Sequence, residues 1–470
     1  MATESRLEEM QQIQNELDIE IIPGTEIMAD IGSHHFVKSE DKSNRVLVPQ
    51  PSNDPHDPLN WTKAWKLSTL VAVSTMSFTQ GFAPLALGPM FGYLMQDYDR
   101  SLTDVIQFTG VTILVLGFSN FIWLDHIDDS RINPGAMADH TGWPSFWWLN
   151  AAMTAASLVA IVFGFPETMY NRVEASEGQP PSAELSVKAI EIQHEEKATN
   201  EKSTTSDDNQ SNVNAERDPC LGKGTPSRQQ WKLFQSSSVS FRSILLDVWI
   251  PWKLFSFPIV LFASFVVSWS CSFILILNLT QTQVFAAPPY NMSSQSIGKL
   301  MIRPIGAHQT NIAGPLSDWV SARATARNNG IREPEMRLPA MIPYVLIMAF
   351  GHIITAIGYQ RHWPWPVIVV LGYSCAGIQV AGLPSISSTY AVDSYKPVAG
   401  SLFVAITVNK NLWGYGMGRF ITPWTEANGF INAFIVNMVL TFIWCLFAIM
   451  FYFYGKTFRR WTKDSIVHRL

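Results

Sequence analysis

Lys410 stands near the middle of the apolar run 399–420, between Asn409 and Asn411. A cation at the centre of a membrane helix costs about 2.5–3.5 kcal/mol. It is therefore expected to face a bundle interior or a wet cavity. There it could bind an anionic group of a ligand or take part in ion coupling. A structural lysine that bonds helix carbonyls or snorkels is the competing reading. His352 lies in the run 338–359, and its ordinary titration near neutral pH makes it a candidate proton site. A lone histidine on a helix is more often a packing residue. Gln80, Trp269, Gln281, Tyr373 and Gln379 sit in or at the edge of other apolar runs. They could line a cavity with stacking surfaces and amide hydrogen bonds for an amphipathic ligand. Packing and interfacial anchoring are the commoner fate of membrane aromatics.

Other chemistries find no support in the residues. The sequence carries no nucleophile elbow, P-loop, dinucleotide fingerprint or H-E-x-x-H zinc motif. Cys220, Cys271, Cys375 and Cys445 form no C-x-x-C pair and no cluster with metal spacing. The expectation is no enzyme, no cofactor and no metal. A net charge of -5 without a basic stripe gives no hint of nucleic acid as a partner. Without a nucleotide site, any transport must be driven by an ion or substrate gradient.

The elements that position these residues follow from where the apolar residues fall. The 470-residue chain is 47% hydrophobic and 15% charged, yet its mean hydropathy is only +0.10. That average misleads, because the apolar residues are concentrated in runs long enough to cross a bilayer. About 20 apolar residues span the roughly 30 Å hydrocarbon core. Candidate spans are 67–88, 105–124, 145–165, 259–279, 338–359, 367–380, 399–420 and 430–454. Residues 1–65 read as a polar tail, in which Leu7, Met10 and Leu17 share one face of a short amphipathic helix. Residues 169–250 are rich in Glu, Ser, Asn and Lys and read as a disordered linker. The remainder divides into an N-terminal bundle at 66–168, a C-terminal bundle at 251–455 and a basic tail at 456–470.

Lys and Arg beside the spans set orientation. Arg323, Arg327, Arg332 and Arg337 crowd one loop, and Lys456, Arg459, Arg460 and Lys463 follow the last span. Lys63, Lys66, Arg242 and Lys253 flank the others, so the N-terminus, linker and C-terminus are expected on the cytoplasmic side. Residues 281–294 lack Lys and Arg and carry a sequon at Asn291, which reads as outside. The count of crossings then fails twice. A span is required between Ser294 and Asp318, where Lys299, Arg303, Pro304 and His308 argue against one. Only three spans precede the linker where an even number is needed, so an odd number of helices is absent.

Several strings in order, DPHDPLNW (54–61), ADHTGWPSFWWLN (138–150), FPET (165–168), LNLTQTQVFAAPPYN (277–291), GPLSDWVSARATARNNGIREPEMRLP (314–339), STYAVDSYKPVAGSLFVAITVNKNLWGYG (388–416) and FYGKTFRRW (453–461), resemble fungal major facilitator superfamily transporters. The branch is similar to the drug:proton antiporters. The resemblance implies an all-α membrane protein of two six-helix bundles, here incomplete, with about 8 to 9 of 12 transmembrane helices. The visible spans look like helices 1, 2, 6, 7, 9, 10, 11 and 12. Helices 3 to 5 are missing between Leu124 and Pro134, and helix 8 is degraded. The loop between helices 2 and 3 is lost, and Pro144 stands where relatives usually have a basic residue.

By the same resemblance Gly314, Asp318 and Arg323 look like the second-half copy of the family's gating loop. Asp318 could cap or pair with a neighbouring helix end, and Arg323 could bridge to a carboxylate across the bundle. The alternative is that they are ordinary inside-loop residues. No Asp or Glu lies deep in a visible span, so a carboxylate proton carrier must be at a span end, in the missing part, or absent. The implied function is multi-pass, plasma-membrane efflux of a small organic molecule by alternating access, coupled to protons. Its partners are the substrate, protons and the lipid bilayer, with no obligate protein partner evident. The competing readings are a truncated, non-transporting remnant or faulty gene model, and a membrane sensor or scaffold.

Overall fold

The computed structural model describes residues 22–27, 54–85, 87, 90–119, 144–168, 222–231, 249–300, 313–328, 330–463 and 465. The elements are β1 (Glu26–Ile27), α1 (Lys63–Leu85), α2 (Phe91–Tyr98), α3 (Leu102–Ser119), α4 (Pro144–Gly164), α5 (Pro258–Phe285), α6 (Ala313–Arg327), β2 (Ile331–Arg332), α7 (Ile342–Gln360), α8 (Trp365–Ser394) and α9 (Ala399–Thr462). A π-helical turn, Ile368–Tyr373, is built into α8. The described residues are all-α apart from the two-residue strands, and nearly all of the described part of each expected span is helical, 338–341 as the end of a 3-10 stretch and the rest on these α-helices. Much of the segment required to cross between Ser294 and Asp318 lies outside the described residues, as do the 7–17 helix face and residues 120–143.

α9 joins two spans. Gly429 breaks it with φ 79° and ψ 165°, a conformation essentially confined to glycine. The two limbs, 399–428 and 430–462, are held at the break by the Phe430 N–H, which donates to Gln360 Oε1 at 2.9 Å. An added Cβ at Gly429 would lie 2.7 Å from that same oxygen. Gly429→Ala is expected to cost about 1–3 kcal/mol, read as a lower unfolding temperature of the detergent-solubilised chain.

Most of the described helices fall in one compact unit, residues 1–31, 70–165 and 236–470. Within it α5 is the central helix, and it runs between two apolar cores. One gathers Phe91, Ile106, Phe273, Leu277, Tyr359 and Phe434. The other, at the end that carries the Arg-rich segment, gathers Phe257, Phe262, Tyr344, Leu383, Tyr390 and Phe451. α7 and α8 approach closely through small residues, as membrane helices do. The Tyr344 ring lies against Gly382, and Cys375 Cβ against Gly351. α3, which precedes the linker, packs on the first limb of α9 through Gly110, Gly414 and Gly418. Gln107 Nε2 donates there to the Gly418 carbonyl at 3.4 Å, and Arg419 donates to Gln107 Oε1 at 3.2 Å. Exposed apolar side chains such as Leu346, Phe350 and Phe453 face outward, the surface expected against lipid.

The second unit comprises residues 32–69 and 166–235. Here the DPHDPLNW string folds around the linker. Asp57 caps a 3-10 turn by accepting the Leu59 N–H at 2.9 Å. The Gly224 N–H donates to the Asn60 carbonyl at 2.8 Å, and Gln230 Nε2 to the His56 carbonyl at 3.1 Å. Trp61 is buried beneath.

Four expectations are corrected. Residues 222–231 of the linker are ordered by these hydrogen bonds rather than disordered. Part of the polar tail is docked, because β1 pairs antiparallel with β2. The basic tail is not separate from the bundle, since α9 continues to Thr462 and buries Arg459. The gating-loop residues Gly314, Asp318 and Arg323 lie on a helix, α6, rather than in a loop.

Candidate functional site

A helix rises 1.5 Å per residue, so residues 268–270 of α5 lie roughly 15–18 Å from its first residue, near half the hydrocarbon thickness. At this level three helices meet through polar side chains. Ser268 Oγ donates to the Ser264 carbonyl at 2.7 Å and accepts from Asn409 Nδ2 of α9 at 2.9 Å. Gln379 of α8 donates to the Ser270 carbonyl at 3.3 Å. Trp269 and Trp413 pack edge to face with centroids 4.7 Å apart. Lys410 is half-buried and within electrostatic reach of Cys271. No carboxylate among the described residues pairs with it.

Several groups in this belt are buried without a partner: Gln379 Oε1, Ser270 Oγ, Asn411 Nδ2 and Trp413 Nε1. Each such group costs about 1–3 kcal/mol, so leaving several together near mid-depth is a large expense for packing alone. Asn409, Asn411, Lys410, Trp269 and Gln379 are thus brought together. Gln281 and Tyr373 are not. Gln281 is twelve residues beyond Trp269, about 18 Å along the helix axis, and is fully buried with both amide atoms unpaired. Tyr373 hydrogen-bonds Tyr359 beside Phe285, at the same far end. The side chain of Gln80 lies outside the described residues.

His352 occupies a third position. It is fully buried and stacked on Phe273 with centroids 3.6 Å apart. Nδ1–H donates to the Met348 carbonyl at 2.9 Å, and Nε2 lies 2.8 Å from Asn437 Oδ1. Turning the Asn437 amide would place its unpaired Nδ2 on that nitrogen, which satisfies a neutral ring completely.

The Arg-rich end carries a second constellation. Arg337 Nη1 pairs with Asp318 at 2.6 Å and donates to Ser317 Oγ at 3.2 Å, while its Nε pairs with Asp393 at 2.7 Å. Arg323 instead lies over the Trp319 ring, 5.7 Å from its centroid, so the bridge expected of it is made by Arg337. Gly314 has open space around it. Arg459 is fully buried and binds Glu333 at 2.6 Å and Glu335 through two bonds of 2.9 Å. Lys456 pairs with Glu333 at 2.9 Å. Burial raises the Glu333 carboxyl, but the two cations outweigh it and hold it below the ordinary carboxylate range. The pairing therefore persists above that range and is lost only as pH falls through the depressed value. In the sequence Arg337 and Arg459 counted only as orientation charges. Glu333, Glu335 and Asp393 were missed, and the one signal for them was acidic residues at the ends of apolar runs.

Among known proteins, the family model described as Major Facilitator Superfamily matches residues 132–415. An uncharacterized MFS-type transporter of Schizosaccharomyces pombe is 23% identical over 549 aligned positions, covering 95% of this chain and 94% of that protein. Protein HOL1 of Saccharomyces cerevisiae is 29% identical over 213 residues, 45% of this chain and 36% of HOL1. Efflux pump vrtL of Penicillium aethiopicum is 32% identical over 114 residues, 22% of this chain and 20% of the pump. The first alignment is longer than the chain itself, so many positions of that relative face no residue here. With a family model matched over more than half its length, and apolar helices long enough to span a bilayer, the chain belongs to the Major Facilitator Superfamily and is a multi-pass membrane transporter rather than an enzyme.

Proposed function

We propose that this transporter moves a small organic molecule by alternating access, as proton-coupled efflux across the plasma membrane, with its N-terminus, linker and C-terminus in the cytoplasm. The observation that carries this reading is the mid-depth belt. Lys410, the Trp269–Trp413 pair and the amides of Gln379, Asn409 and Asn411 offer a charge, a stacking surface and hydrogen bonds at the depth where such transporters bind substrate. Lys410, with no carboxylate partner among the described residues, favours a substrate with an anionic group. Asp318, Arg337 and Asp393, with Gly314 and Arg323 on the same helix as Asp318, act as a gate whose ion pairs hold one state and break on rocking. His352 packs rather than carries protons, because the surrounding groups satisfy its neutral form.

Inside-out vesicles test coupling and direction together. An acid lumen is expected to drive carboxyfluorescein inward, and nigericin, which collapses the pH gradient, to abolish the accumulation. Accumulation indifferent to the gradient contradicts proton coupling.

A second reading, that the chain is an incomplete remnant, draws support from two observations. The excess of aligned positions over residues is of the order of three helices. In α4, only 6% of the apolar window 147–164 is buried, against 78% in α5, as expected if neighbouring helices were absent. Sequencing the transcript across residues 124–134 and 298–311 decides it: spliced RNA that restores apolar spans removes this reading, and RNA that matches the chain sustains it.

A further inference from the structure

The fully buried guanidinium of Arg459 has five N–H donors, and the bundle does not satisfy them all. Nε and Nη2 are taken by Glu335 and Glu333. Nη1 is taken by a segment more than four hundred residues away: it donates to the Pro23 carbonyl at 2.8 Å and to Thr25 Oγ1 at 3.4 Å. Thr25 in turn donates to Glu333 Oε2 at 3.1 Å. The local sequence explains why this segment can reach in. Ile-Pro-Gly-Thr is a type II turn, closed by the Thr25 N–H on the Ile22 carbonyl at 2.9 Å, with Gly24 at φ +90° in the position that needs it. The turn seats tightly. A Cβ on Gly24 would lie 2.7 Å from the Asp393 carbonyl and 3.0 Å from Ser394 Cα, and Ile22 is buried. The chain then extends as β1 and adds a strand to β2, Glu26 opposite Arg332 and Ile27 opposite Ile331.

We infer that the Arg-rich end of the C-terminal bundle is a docking site for a short extended peptide, and that residues 22–27 of the same chain are its occupant, acting as a clasp. Recognition combines the two modes such a peptide offers: main-chain pairing to a strand edge and completion of a buried charge cluster. The clasp also covers the segment that bears Asp393, a partner of Arg337. Docked, it holds the last helix, the 331–337 segment and the Asp393–Ser394 end of α8 in one arrangement; released, it frees them to separate. Its consequence for rocking rests on alternating access, whereas the contact itself is tested without any flux.

In the full chain, with its four cysteines replaced by serine, Glu26→Cys and Arg332→Cys place two thiols on directly opposed residues, a separation a disulfide can bridge. With a protease site inserted between residues 40 and 45, oxidation is expected to keep an N-terminal epitope tag attached to the large fragment after cleavage. Thr25→Glu, which sets a carboxylate beside Glu333, is expected to lower that yield about five-fold or more; Gly24→Val should act in the same direction. As an independent readout, Ser394→Cys in the cysteine-free chain lies fully buried under the turn. Its maleimide labelling is expected to rise about five-fold or more when Thr25→Glu is added or residues 1–30 are removed. All are read on the monodisperse fraction, so misfolded protein does not count. No crosslink in the parent pair, or crosslinking and labelling both unmoved by Thr25→Glu, overturns the clasp.

Discussion

Arg459→Met is expected to destabilise the protein by about 3–5 kcal/mol, because removing one partner of a buried ion pair leaves the others buried and uncompensated. Glu333 and Glu335 are both nearly fully buried, and Arg459 is the one cation that binds both among the described residues. Lys456 reaches only Glu333, and from an exposed position. The measurement is thermal unfolding of the detergent-solubilised chain. Adding Glu333→Gln and Glu335→Gln to Arg459→Met should recover part of the loss, since neutral amides remove the stranded charges. The adjacent Arg460 is exposed, and Arg460→Met is expected to stay within about 0.5 kcal/mol of the parent. Equal effects at the two arginines would contradict the structural assignment.

Lys410→Gln is the second large effect, and it falls on transport. A hydrogen bond to a charged group contributes about 1.5–3 kcal/mol, so flux of an anionic probe such as carboxyfluorescein should fall about ten- to a hundredfold. The unfolding temperature should move little, because Lys410 has no ion pair to lose within the described residues. Lys410→Arg should retain more flux than the glutamine variant. If flux instead falls only as far as the folded fraction does, Lys410 is a packing residue and the substrate belt lies elsewhere. The same experiment on Gln379→Leu separates recognition from charge, since it removes the unpaired acceptor, together with the bond to the Ser270 carbonyl, without changing the net charge.

The spans were legible because length and hydropathy are local properties. Runs such as 259–279 and 338–359 needed only a count against the bilayer thickness; the first is a helix from Pro258 to Phe285, and the second is α-helical from Ile342 to Gln360 after a 3-10 stretch, Pro334–Met341. The short helix Phe91–Tyr98 was not foreseen. Eight residues around the buried Phe91 and Leu94 are too few to announce themselves by periodicity. The ion-pair networks were illegible for a different reason. Arg459 meets Glu335 across 124 residues and Pro23 across 436, and nothing in the string FRRW distinguishes the buried arginine from its exposed neighbour. In the belt, the residue types were readable and the grouping was not. Trp269 and Gln281 lie on one helix and look equivalent as polar or amphipathic residues in or beside an apolar run, yet their depth puts them at different levels. Lys410 and His352 lie on different helices, α9 and α7, and nothing local in either run tells which of them reaches the belt. His352 drew attention for its chemistry, and only the fold shows it buried against Phe273 with its two ring nitrogens within hydrogen-bond reach of Met348 and Asn437.

The central claim is that this chain, as it stands, moves a small organic molecule through the membrane. Reconstitution of the purified full chain into proteoliposomes, with insertion verified first, tests it most directly. Time-resolved flux would be followed for an anionic, a cationic and a neutral aromatic probe: carboxyfluorescein, rhodamine 6G and pyridoxine. Flux of the anionic probe is expected well above empty liposomes, lowered by Lys410→Gln at equal protein density. Stable insertion with no flux of any probe above the empty control would contradict it.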